Sequence, residues 1–176
     1  MIGLSAATWL PIATLVLGYI LKSIADVVQH KWTLEKDREA RTATRQDKQF
    51  ERRNTFQRET LLALQETSMD LARMAGQMHH LDTMAFRQTG KWQEQLFSEE
   101  LAEGHRAAMA RANLLAVRVR DDQVRQLVSD FRSCVARAGV CGSQAEGDAV
   151  LRATNEVVAT LNERIGQILR QLDDEI

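Results

Sequence analysis

LLALQETSMDLARMAGQMHHLDTMA, residues 61–85, is the stretch that decides the fold. Leu61, Leu64, Leu71, Ala75, Met78 and Ala85 recur on one helical face, with Ser68 and Asp82 in the same row. Steps of three and four keep that row on one side of a 3.6-residue helix, the signature of an amphipathic segment packed on a core. Thr89-Gly90 ends the pattern, with the glycine placed for a C-terminal turn.

Working outward, a second stripe runs Phe97, Leu101, His105, Ala108, Ala112, Leu115, Val119. A third holds Val124, Leu127, Val128, Phe131, Val135 and Ala138. It either starts a new helix or continues the second, since Val117, Val124 and Phe131 keep a seven-residue spacing and Asp121-Asp122 is the one candidate break. Gly139-Val140-Cys141-Gly142 reads as a loop, and Ser143 with Glu146 as the capping box of a last helix. That helix carries Val150, Val157, Leu161, Ile168 and Leu172, widened by Leu151, Val158, Ile165 and Leu169. No segment alternates with period two long enough to make a strand. One proline and nine glycines in 176 residues also exclude a turn-rich sandwich or barrel. The fold class is all-α, and residues 56–176 are expected to form an antiparallel bundle of three to four helices.

Residues Ile2 to Leu21, IGLSAATWLPIATLVLGYIL, hold no charged side chain. Twenty residues at ~1.5 Å each span ~30 Å, the hydrocarbon thickness of a bilayer. Residues 1–22 are therefore expected to be a single N-terminal transmembrane helix that includes Ile2, Trp9, Pro11, Tyr19 and Leu21. Pro11 would kink it, and Tyr19 would sit at headgroup level. The pairs Gly3/Ala7 and Thr14/Gly18 are small enough to let such helices approach closely. The rival is a signal peptide cleaved near Ser23-Ile24-Ala25. It lacks a basic residue ahead of the apolar run, and the run is too long for it.

Lys22, Lys31, Lys36 and Arg38 follow the run, while only the α-amino group precedes it. The positive-inside rule then sets the N-terminus outside and the rest in the cytoplasm, at the inner membrane. Cys134 and Cys141 would be reduced thiols there; a disulfide between them would mark the opposite topology. Residues 23–55 are expected to be an interfacial segment and a polar helical stalk, with a flexible linker as the alternative. Residues 19–75 contain no glycine or proline, and residues 35–49 offer only Ala40 and Ala43 as apolar members, so no coiled-coil heptad forms. Asp37–Arg41 and Lys48–Glu51 supply helical charge pairing. Residues 31–60 hold nine basic and six acidic residues, net +3, against three basic and seven acidic in 139–176, net −4. Such asymmetry suits an anionic inner leaflet, and equally a solvated helix face.

Chemistry-bearing patterns are sparse. No G-x-S-x-G occurs, neither cysteine has a histidine nearby in sequence, and Gly139 and Gly142 lack the lysine and hydroxyl residue of a phosphate loop. His79, His80, Asp82 and His105 are a conceivable metal set, but the paired Glu-x-x-His of bundle metal sites is missing. No metal and no cofactor is expected. The formal net charge of −1 disfavours a nucleic-acid partner. The expected partners are membrane lipid, a second copy of the chain, and an unidentified protein.

One motif stands apart: Arg73-Met-Ala-Gly-Gln-Met-His79-His80. An arginine followed by a histidine after four to six residues resembles the motif of HEPN-type ribonucleases, which are small all-helical proteins. The resemblance implies that Arg73 with His79 or His80 would act on RNA at a dimer interface. Met74 departs from the polar residue usual there. The whole layout resembles the membrane accessory proteins of type VI-B CRISPR systems, which implies oligomers in the membrane. The first expectation for function is a non-enzymatic membrane-anchored bundle that oligomerises or recruits a partner. A membrane-perturbing, pore-type antiviral defence effector comes second, and a HEPN-type ribonuclease third.

Overall fold

A computed structural model describes residues 6–93 and 97–174, and within the first helix it leaves undescribed the side chains of residues 6–17, 19–21, 23–28, 30, 34, 37 and 39. All of the described secondary structure is helical: α1 (Ala6–Thr89), α2 (Glu99–Arg118), α3 (Asp122–Ala138) and α4 (Gln144–Asp174). The chain divides into two compact units, residues 1–52 and 53–176.

In the first unit, residues 40–52 are helical and exposed, as a polar segment without an apolar stripe must be. Ile2 and Gly3 lie outside the described residues, as do the side chains of Ala7, Trp9, Pro11, Thr14, Tyr19 and Leu21. Gly18 is exposed, with open space where a Cβ would stand. Among the described residues no helix is long and apolar enough to cross a membrane.

The second unit is a four-helix bundle with two core layers. One layer joins Leu61 and Leu64 of α1 to Leu115 and Val119, Val124 and Val128, and Leu161 and Ile165. The other joins Leu71 and Ala75 to Phe131, Val135 and Val158, flanked by Ala108. Moving from the first layer to the second, residue numbers rise along α1 and α3 and fall along α2 and α4. Successive helices therefore run antiparallel, which short connections require. Leu61, Leu64, Leu71, Phe131, Leu161 and Ile165 are buried to 1% exposure or less. Each such side chain contributes about 1.5–3 kcal/mol of apolar burial.

The row expected on α1 is the buried one, with Ser68 and Asp82 buried inside it and Met78 and Ala85 half-buried at its far end. It also extends backward through Gln57 to Asn54. On α4 the buried row is Gly147, Val150, Thr154, Val158, Leu161, Ile165. Val157, Ile168 and Leu172, expected at its centre, lie half-buried on its flank. The cause is Thr154, which is hidden as a core residue because its Oγ1 donates to the Val150 carbonyl at 2.8 Å and needs no partner elsewhere.

Helices α2 and α3 are separate. Val119 is extended, and Asp121 caps α3 by accepting from the Val124 N–H at 2.8 Å. Ser98 caps α2 in the same way through the Leu101 N–H. At α4 the Ser143 hydroxyl accepts from the Glu146 N–H, and the Glu146 carboxylate accepts from Gly142 rather than from the cap residue itself. Gly90, at φ +73°, closes α1 in the left-handed conformation, its N–H donating to the Phe86 carbonyl at 2.8 Å.

Candidate functional site

The last turns of α1, the first half of α2, the end of α3 and the start of α4 meet at one end of the bundle. The left-handed turn at Gly90 returns the chain so that Trp92 lies against α1, 5.6 Å from the His79 ring and 6.0 Å from Phe86 between centroids. Gln93 holds the returning segment by donating to the Ala138 carbonyl at the end of α3, 3.1 Å away. Helix α4 enters beneath. His79 Nε2 and Asp148 Oδ1 are 2.8 Å apart, which ties α1 to the first turns of α4. Gly147 is required by this approach: a Cβ there would lie 2.8 Å from Trp92 Cζ2 and 3.1 Å from His79 Nδ1.

One turn further along α1, Asp82 is 4% exposed, and its Oδ1 has no hydrogen-bond partner among the described residues. Burial pushes its carboxyl above the ordinary carboxylate range, with His79 working in the opposite direction. His105 of α2 is held below the ordinary imidazole range by burial. Asp82, His79 and His105 line one partly enclosed cavity of about 90 Å³, whose remaining wall includes Met78, Phe97 and Val135. Nearby, Cys141 is buried, donates to the Arg137 carbonyl at 3.2 Å, and is held as a thiol by burial and by Glu146. Both cysteines are free.

The three residues singled out by the arginine–histidine motif separate. Arg73 and His80, seven apart, open onto a groove of about 870 Å³ between α1 and the start of α2, with Met74, Gln77, Ser98 and Leu101. Arg73 is exposed and paired with Asp70 at 2.7 Å. His79 faces Asp148 and Trp92 instead. The conceivable metal set divides too: His80 lines the groove, and His79, Asp82 and His105 line the cavity. Among the described residues no three His, Cys, Asp or Glu side chains stand close enough together to hold a metal ion.

Asp148, Trp92 and Gly147 escape a reading of the sequence. Asp148 follows the Ser143/Glu146 cap and looks like one more exposed acidic residue of a first turn. Trp92 carries one legible hint, its place two residues beyond the helix-ending glycine. In chemical terms the anchored histidine is bonded to a carboxylate and not to a hydroxyl or thiol nucleophile, and the groove sets Arg73, His80 and the Glu100 carboxylate among Gln77, Ser98 and apolar side chains. No family model, curated protein or solved structure matches the chain.

Proposed function

We propose that the protein is a non-enzymatic, single-pass helical-bundle protein of the inner membrane that acts by associating with itself or by recruiting a protein partner. The observation that carries this reading is the uncharged run from Ile2 to Leu21, joined by Lys22, Lys31, Lys36 and Arg38 to a folded bundle. Those four cations are exposed, as the positive flank of an anchor must be. The N-terminus lies outside, and the bundle lies in the cytoplasm. In the membrane the pairs Gly3/Ala7 and Thr14/Gly18 let two helices approach closely. On the bundle, Leu114 and Val117 are 65% and 83% exposed, an apolar face on α2 beyond what the core uses. The mass of the detergent-solubilised full chain tests the associating part. A dimer or larger species at micromolar concentration is expected, and a strict monomer sinks it.

A second reading, RNA cleavage, is favoured by one observation: Arg73 and His80 open onto a common groove. On that reading Arg73→Ala and His80→Ala each abolish cleavage of a single-stranded RNA, whereas His79→Ala acts through folding. A wild-type chain without cleavage removes it.

A further inference from the structure

We propose that the partly enclosed cavity at the His79 end of the bundle is a binding site for a small primary alkylammonium ion, whose charged head is received by Asp82. Three features point to a cation. Asp82 lines the cavity and is 4% exposed, and its Oδ1, which has almost no accessible surface of its own, meets no donor among the described residues. The last turn of α3 forms part of the wall through Val135, Ala136 and Ala138, and a helix C-terminus carries the negative end of the macrodipole. Among the described residues no lysine or arginine lines the cavity to neutralise either feature.

The rest of the lining selects among cations. Ala75, Met78, Phe97 and Val135 give an apolar surface suited to an alkyl group. A bare metal ion would need several ligands, and among the described residues no three metal-capable side chains converge. A volume of about 90 Å³ equals roughly three waters at about 30 Å³ each. That is room for an ammonium nitrogen with one or two carbons, and too little for a drug-sized ligand. The imidazole of His105, held below its ordinary range by burial, lines the same cavity.

Protons compete with the cation. Burial makes Asp82 harder to ionise than an ordinary carboxyl, and ionising it admits the ammonium. The other titratable or charged groups at this end are His79 on α1, His105 on α2, Arg137 on α3, Asp148 and Glu146 on α4, and Cys141 in the α3–α4 loop. Protonation of Asp82 removes the charge that receives the ligand, so affinity falls as pH drops toward and below its raised value.

The test uses the full chain in detergent, titrated with ethylammonium chloride against sodium chloride at equal ionic strength, and followed by thermal unfolding and by calorimetric binding. A saturable rise in Tm is expected with ethylammonium and not with sodium. Affinity should fall tenfold or more in Asp82→Asn, which keeps the side chain's volume and loses its charge. Ala138→Val, which reduces the cavity and leaves Asp82 in place, should weaken binding as well, and affinity should be lower at about pH 4 than at about pH 7. An equal Tm rise with sodium chloride, undiminished binding by Asp82→Asn, or no saturable binding to the wild-type chain would each overturn the proposal.

Discussion

The two ends of the bundle are built from the same kinds of residue and treat them differently. At the α2–α3 turn the polar groups are paired. The Gln57 amide donates to the Arg118 carbonyl at 2.9 Å and accepts from the Arg120 N–H at 3.0 Å, so one side chain of α1 satisfies both edges of the turn. Arg125 donates to the Val119 and Arg120 carbonyls. Asp121 caps α3 and accepts from Arg164 of α4 at 2.6 Å. At the opposite end Asp82 Oδ1, Thr83 Oγ1 and Trp92 Nε1 are buried without partners among the described residues. The paired end sets the register of the four helices. The unpaired end gives up stability that full pairing would supply, and forgone pairing of that kind is found where a structure has another use for the groups.

The contrast breaks most visibly if its strongest tie is cut. Asp121→Ala removes the cap of α3 and leaves Arg164 without its acid; a loss of about 2 kcal/mol, from the cap, is expected in urea unfolding. Gln57→Leu strands two backbone groups of the turn and should cost about 2 kcal/mol. At the other end Asp82→Leu should cost nothing or add up to about 1 kcal/mol, because it removes a buried group that has no partner to lose. Equal losses for Gln57→Leu and Asp82→Leu would erase the distinction. Gly147→Ala sets a methyl against Trp92 and His79 and should cost about 1 kcal/mol, with a change in tryptophan emission, since the Trp92 side chain has to shift.

The smallest effect is in acid, where the two carboxyls should act in opposite directions. Arg164 holds Asp121 below the ordinary carboxylate range. Its contribution is complete above about pH 4, the unfolded value, and is lost as pH falls through the folded value. Asp82 is held above that range, so the folded state binds its proton more tightly, and stability falls as pH rises from about 4 through its folded value. His105, held low, weakens the fold as pH drops through about 6.5, where the unfolded chain takes up the proton first. Melting profiles over pH should show Asp121→Asn flattening the acid loss, Asp82→Asn removing the decline above about pH 4, and His105→Gln removing the loss that begins below about pH 6.5.

Much of the bundle is legible in the sequence because apolar spacing reports burial directly. The row from Leu61 to Asp82, the stripe of α3 and the glycine stops follow from residue types at helical intervals. The α4 row is misplaced by one flank because Thr154 and Gly147 are core positions filled by residues that hydropathy counts as neutral. The break between α2 and α3 stays ambiguous in the sequence because Val117, Val124 and Phe131 keep a heptad step; the Asp121 cap decides it. The site is less legible. Histidine and arginine on one helix suggest a set, but a helix turns each residue by 100°, and His79 and His80 consequently serve different surfaces. The partners of His79 come from a loop and from a helix more than sixty positions away, and no local pattern announces them.

The account of function depends most on the uncharged head, and one fractionation tests it. Membranes from cells expressing the full chain are washed with alkaline carbonate and sedimented. The account predicts that the intact polypeptide stays in the pellet until detergent is added. Recovery of the full-length chain in the supernatant before any detergent would contradict it.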